Sequence, residues 1–135
     1  MRITTRGRYA LRAIIALARL SQKGEAVSIT RLSEEEGISS VFLEQIFFKL
    51  RKAGLVESVR GPGGGFRFSK PLTEITIREI LDAAGENLEL TPCTQKKQGV
   101  CHNINDCKAY EIWAEATRRV NDYFSSITLG ALISS

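Results

Sequence analysis

Apolar residues recur along this chain mostly at helical spacing. Over residues 6–20, Ala10, Leu11, Ile14, Leu17 and Ala18 form one stripe while Arg8, Arg12 and Arg19 lie off it, which predicts an amphipathic helix closed by Lys23-Gly24. A shorter helix follows at 29–36: Ser28 can accept from the free N–H groups of its first turn, and Gly37 can end it in the left-handed conformation. Leu43, Ile46, Phe47 and Leu50 then mark the inner face of a third helix, with Ser39 and Ser40 as candidate caps. Its opposite face carries Glu44, Gln45, Phe48, Lys49 and Lys52. Beyond Gly54 the period shortens. Residues 55–59 read as a strand and 66–68 as its partner, joined by Gly61-Pro62-Gly63-Gly64-Gly65.

The clearest local signal lies at 75–80, where Thr76 and Glu79 form a capping box and Ile75 and Ile80 stand at the positions of a hydrophobic staple. A helix at 77–84 follows, stopped by Gly85. Residues 86–106 lose periodicity, and Val100 and Ile104 are the only aliphatic residues of 91–107. Such a stretch buries too little to order itself, so it is expected to be a functional loop that needs an external centre. From Lys108 the helical period returns, with Ile112, Trp113, Ala116, Val120, Tyr123, Phe124 and Ile127 as a long stripe. A helix of about 18 residues spans roughly 27 Å, more than a small domain needs for its own core. It reads as a dimerisation helix packed on its two-fold mate, with burial inside a monomer as the plainer alternative. Thr128 can cap a last short helix at 129–133.

Two helices joined by a tight turn and followed by a glycine-rich hairpin make a winged helix-turn-helix. The expected fold class is therefore mainly α with a small β-hairpin, divided into a winged DNA-binding domain at 1–85, a cysteine-bearing loop at 86–107, and the long helix with a short C-terminal helix at 108–135. Paired helices alone are common core structure. The three consecutive glycines tip the reading, because each loses more backbone entropy on folding than any other residue and a simple core has no use for them. A loop without side chains, flanked by Arg60 and Arg67, can approach a phosphate backbone or a minor groove.

Charge strengthens this picture. Residues 1–70 hold 13 Lys and Arg against 6 Glu, whereas 71–135 hold 6 against 9 acids, so the net +4 comes entirely from the winged half. A solvated basic face is the bland alternative. No run approaches the roughly 18 apolar residues of a membrane span, and the start of the chain leads into an arginine-studded helix, unlike a signal peptide. A cytoplasmic location is expected.

Three cysteines, Cys93, Cys101 and Cys107, crowd one stretch. An odd number confined to one loop makes no intrachain disulfide framework and suits a reducing compartment. The close C-x2-C pairs usual in zinc sites are absent, while widely spaced thiolates suit an iron-sulfur cluster. Lys96, Lys97 and the helix start at Cys107 favour negative charge there. His102 is a candidate fourth ligand, although neighbouring residues such as Cys101 and His102 rarely reach one metal without strain. Free thiols, a reactive redox thiol and incidental cysteines stay open. No Ser/His/Asp set, P-loop or HExxH motif occurs, so an enzyme is not expected. A thiol enzyme or cluster carrier that retains the fold is the alternative from another class.

Taken together, the runs MRITTRGRYA at 1–10, FLEQI at 42–46, LRKAGLV at 50–56, VRGPGGGF at 59–66 and ITLG at 127–130 resemble the IscR-type transcription regulators of the Rrf2 superfamily, relatives of RirA and NsrR. The resemblance implies a bacterial homodimer that binds palindromic double-stranded promoter DNA as repressor or activator. It further implies an iron-sulfur cluster, 2Fe-2S or 4Fe-4S, on Cys93, Cys101 and Cys107 of each subunit, and control of cluster-biogenesis or iron-homeostasis genes. The chain departs from the family pattern at the fourth ligand: Tyr110 stands where IscR has a histidine, and Arg8 where the NsrR-like branch has an acid. The long interval between the first two cysteines looks more like RirA. On this reading Ser39, Ser40, Glu44 and Gln45 face the major groove, where Glu44 can accept from a cytosine amino group and Gln45 can pair with adenine. Arg60, Gly61 and Pro62 lie along the minor groove, and Arg2, Arg6, Lys49, Arg51 and Lys52 meet phosphates. A two-fold dimer predicts half-sites about one helical turn, roughly 34 Å, apart.

Overall fold

The computed structural model of the chain describes residues 1–94 and 107–134. Its helices are α1 (Thr5–Leu20), α2 (Ile29–Glu36), α3 (Ser40–Lys52), α4 (Ile77–Ala83), α5 (Lys108–Ser126) and α6 (Leu129–Ser134). Between α3 and α4 lies an antiparallel hairpin of β1 (Val56–Val59) and β2 (Gly65–Phe68). The fold is mainly helical with one small sheet, as the periodicity implies.

The start signals read at Ser28, Ser39 and Thr76 are used, and Thr4 adds one that the periodicity does not mark. Thr4, Ser28, Ser39 and Thr76 cap α1 to α4, accepting from the N–H groups of Gly7, Arg31, Phe42 and Glu79 respectively. Gly37 ends α2 at φ 65°. The box at Thr76 closes differently from the expected pattern, because the Glu79 carboxylate accepts from Lys70 Nζ at 2.7 Å and from the Thr76 hydroxyl at 3.4 Å.

One core unites these elements. Ala10, Ala13, Ile14, Ala16 and Leu17 of α1 are fully buried, and their mostly small side chains let neighbouring helices approach closely. Leu43, Ile46, Phe47 and Leu50 come from α3, Ile80 from α4 and Leu129 from α6. Each such Leu, Ile or Phe contributes roughly 1.5–3 kcal/mol by leaving water. The chain after α5 returns to this core: Leu129 N–H donates to Ile75 O at 2.8 Å and Ile77 N–H to Ile127 O at 3.0 Å. The last helix thus closes the core built by the first 85 residues, although it follows the long helix in sequence.

The hairpin corrects the reading of its glycines. Gly61-Pro62-Gly63-Gly64 is a tight turn closed by Gly64 N–H to Gly61 O at 2.9 Å, with Gly63 at φ 73° as the position after a turn proline requires. Gly65 sits at φ 145°, and a Cβ there would overlap the Val27 carbonyl. Val27 and Phe66 exchange two backbone hydrogen bonds of 2.9 Å at that point, which adds a strand-like arm beside the hairpin. The fold itself therefore demands these glycines, and their presence does not by itself indicate a partner.

The long helix divides its faces. The side of α5 that packs on its own chain combines Phe124 with two polar residues: the Thr117 hydroxyl accepts from Leu90 N–H at 3.2 Å, and Asn121 Nδ2 donates to Leu88 O at 3.0 Å. Much of the apolar stripe faces outward instead, with Ile112 and Tyr123 each 62% exposed and Trp113 41%. Val120 is half-buried. Residues 86–94, expected to need an external centre, are ordered by these bonds, by burial of Leu88 and by a 3-10 turn at Pro92–Thr94. The rest of that stretch, including Cys101 and His102, lies outside the described residues.

Candidate nucleic-acid interface

The outward face of α3 carries the residues expected to read bases. Glu44 and Gln45 are exposed, opposite the buried Leu43, Ile46, Phe47 and Leu50. Ser39 uses its hydroxyl oxygen to accept from Phe42 N–H at 3.1 Å, so it caps the helix and keeps its O–H free to donate. Ser40 is the exposed first residue of the helix. Lys49, Arg51 and Lys52 occupy the last turn, where the helix dipole favours cations. The Arg51 guanidinium lies over the Phe48 ring, 5.7 Å from its centroid.

The hairpin tip presents Arg60, Gly61 and Pro62, all exposed. Arg67 does not flank this loop as a free charge. It stands opposite Glu57 in the sheet register and donates from Nε to the Glu57 carboxylate at 2.5 Å. Among the described residues, Arg2, Lys49, Arg51, Lys52 and Arg60 make no ion pair, whereas Arg12, Arg19, Arg67 and Lys70 all have carboxylate partners. These five expected DNA ligands share that lack of an internal acid with Arg8, Lys23 and Arg31.

The N-terminus of α1 is a different matter, since the sequence suggests phosphate binding there. Two of the N–H groups there, those of Thr4 and Gly7, are already engaged by Glu86, which is only 8% exposed. That carboxylate accepts from Thr4 N–H at 3.1 Å, from Gly7 N–H at 2.9 Å and from the Thr4 hydroxyl. Burial pushes the Glu86 carboxyl up, but the Thr4 and Gly7 hydrogen bonds and the Arg6 charge more than offset this and hold it below the ordinary 4.5. A capping box would place a Glu or Gln at Gly7; instead the acid arrives from far along the chain, and a Cβ on Gly7 would overlap it. Arg6 turns inward, with Nε buried and unpartnered among the described residues. A Cβ built on Gly85 would lie 3.4 Å from Arg6 Nη2 and 3.6 Å from Lys49 Nζ. The fold thereby brings together two expected phosphate ligands that are distant in sequence.

Cys93 and Cys107 are both half-buried free thiols. Cys107 caps α5, its sulfur accepting from Tyr110 N–H at 3.4 Å, and Cys93 Sγ lies 3.0 Å from Thr91 Oγ1. Among the described residues no three His, Cys, Asp or Glu side chains converge as a metal site. Two partly accessible thiols at the ends of the segment that holds Cys101 fit a thiolate-bound group as a donor set.

The model of the Rrf2 family, described as an iron-dependent transcriptional regulator, matches residues 3–135. The chain belongs to the Rrf2 family. It is 42% identical over 134 residues to the HTH-type transcriptional regulator IscR of Vibrio vulnificus, covering 99% of this chain and 78% of that protein. Among solved structures, T. potens IscR superimposes with a TM-score of 0.78 at 28% identity, covering 99% of this chain and 87% of that one. CymR (YrzC), the global cysteine regulator of B. subtilis, gives 0.80 at 28% identity, covering 99% and 97%. These relatives and neighbours are regulators rather than enzymes. The winged-helix architecture agrees with both Rrf2 structures, so the fold alone does not separate an IscR-like chain from a CymR-like one. No helix of the described residues is long and apolar enough to cross a membrane.

Proposed function

We propose that this Rrf2 chain is a cytoplasmic, homodimeric, sequence-specific DNA-binding transcription regulator switched by an iron-sulfur cluster on Cys93, Cys101 and Cys107. The observation that carries the DNA reading is the exposed α3 face, ringed by cations that make no ion pair among the described residues. Glu44 and Gln45 lie between Ser39 and Ser40 on one side and Lys49, Arg51 and Lys52 on the other. Phosphate contacts by the cations fix register, while Glu44 and Gln45 supply base-edge acceptors and donors. Arg60, Gly61 and Pro62 fit an adjacent minor groove as a narrow tip whose guanidinium has no carboxylate partner among the described residues.

Support for the switch is the way the thiols connect to the rest of the molecule. Cys107 opens α5, whose Thr117 and Asn121 hold Leu90 and Leu88. The same strap carries Glu86, which holds the start of α1, and Leu90 O accepts from the Met1 amino group at 3.2 Å. A bound cluster would supply a redox-active centre whose gain, loss or oxidation changes the preferred position of this strap and helix. Control of cluster-biogenesis or iron-homeostasis genes is the regulatory role we infer. A thiol-only switch is the second reading, favoured by the half-buried free Cys93 and Cys107 and by the fold match to CymR.

Selection of bound duplexes from a random pool tests the DNA reading. The protein is expected to recover a palindromic motif, and Glu44→Ala to relax one cytosine-bearing position by about 1–3 kcal/mol, roughly 5- to 150-fold in discrimination. Recovery of no motif, with affinity that only falls as salt rises, would instead indicate nonspecific binding.

A further inference from the structure

The outward face of α3 is not only polar. Val41, Glu44, Gln45 and Phe48 follow one another at helical spacing on the side opposite the core, and Val41 is 66% and Phe48 54% exposed. Leaving an isopropyl group and a phenyl ring in water forfeits the stabilisation their burial would give. Neither belongs to the folding core, and together with Glu44, Gln45 and Lys49 they line one shallow groove. Resting on the reading that α3 enters the major groove, we propose that Val41 and Phe48 are specificity residues that read the 5-methyl groups of thymines.

Charge complementarity selects this occupant. Lys49, Arg51 and Lys52 have no carboxylate partner among the described residues, and the Arg51 guanidinium covers the Phe48 ring at 5.7 Å. A cationic rim around isolated apolar points suits a polyanion that carries isolated apolar groups. In the major groove that group is the thymine methyl, which no other base displays. The two side chains sit seven residues apart, about 10 Å along a helix at 1.5 Å per residue, close to three base steps at 3.4 Å each. Glu44 and Gln45 lie between them, so the face offers an apolar contact, two polar readers and a second apolar contact in order. The recovered half-site should accordingly contain thymines about three steps apart, flanking the positions read by Glu44 and Gln45.

Anisotropy titrations on the selected duplex supply the test, with each thymine replaced in turn by deoxyuridine, which lacks only the methyl group. Two thymines per half-site should each lose about fourfold in affinity, the worth of one buried methyl. Val41→Ala should abolish the thymine-to-uracil difference at one of them and Phe48→Ala at the other, each leaving the unfolding midpoint unchanged because both side chains are exposed. Selected sites without thymine at this spacing overturn the inference. So does a uracil scan that moves no position by more than twofold, or a Val41→Ala protein that keeps the full difference at both. Each of those results leaves sequence-specific binding intact, whereas failure to select any motif removes the underlying DNA reading as well.

Discussion

A chain carrying Ile112→Glu and Trp113→Glu is expected to sediment as a monomer and to bind a full palindromic site about 10²–10⁴-fold more weakly than the unaltered protein, because two linked half-site contacts gain that much from effective concentration. The expectation rests on the proposed dimer and on the geometry of α5. Its polar side is satisfied within the chain by Leu88 and Leu90, and its apolar side is open, with Ile112 and Tyr123 each 62% exposed. A shallow groove around Ile112 and Ala116, edged by Glu111, Glu115 and Arg119, offers a second copy a place to pack. Charge introduced there must be desolvated on association. Since Val120 is half-buried in its own chain, replacing it would confuse folding with assembly, and Ile112 is the cleaner site. A double variant that remains dimeric and binds normally would place the interface elsewhere.

The second large effect is expected at Glu86. Replacing it with alanine strands the Thr4 N–H, leaves Gly7 N–H only its 3.5 Å bond to the Thr4 hydroxyl and removes a charged acceptor, which should cost about 3 kcal/mol. The helix start that carries Arg6 should loosen with it. This contribution depends on pH with a definite sign. The folded carboxyl is held below the ordinary 4.5, so the unfolded chain binds the proton more readily. The stabilisation is therefore complete above about pH 4.5 and is lost as pH falls through the folded value. Urea midpoints of the unaltered and Glu86→Ala proteins should differ most near neutrality and converge in acid. A difference that is constant from pH 7 to pH 3 would mean that the carboxylate charge is not what matters.

How far the sequence discloses this molecule depends on the range of each signal. Caps and stripes are local, so Ser28, Ser39 and Thr76 announce their helices, and Leu43, Ile46, Phe47 and Leu50 announce the buried side of α3. The Glu86 cap is invisible to that reading because Glu86 lies 82 positions from Thr4. No spacing rule connects the two residues. Hydrophobic periodicity also finds α5 and its outward stripe at Ile112, Trp113 and Tyr123, but it does not disclose that Thr117 and Asn121 tie the helix to Leu90 and Leu88 of its own chain. The wing glycines show the converse: their close approach to Val27 is a tertiary fact that composition alone makes resemble a binding feature. At the interface, Arg67 is legible as a charge, but its neutralisation depends on strand register with Glu57. Phe48 already falls on the outer face by its spacing, but Val41 counts as an ordinary apolar residue until its exposure is known.

The most direct test of the central claim pairs two readings on one anaerobic preparation: iron and sulfide bound per chain, and affinity for the selected duplex before and after the cluster is removed. The account predicts stoichiometric iron and sulfide that disappear when Cys93, Cys101 and Cys107 are replaced by alanine. It also predicts a 5- to 150-fold change in DNA affinity between the two forms, the range of a coupling of about 1–3 kcal/mol. A colourless anaerobic protein without iron, whose DNA affinity is unchanged by the triple replacement, would contradict it.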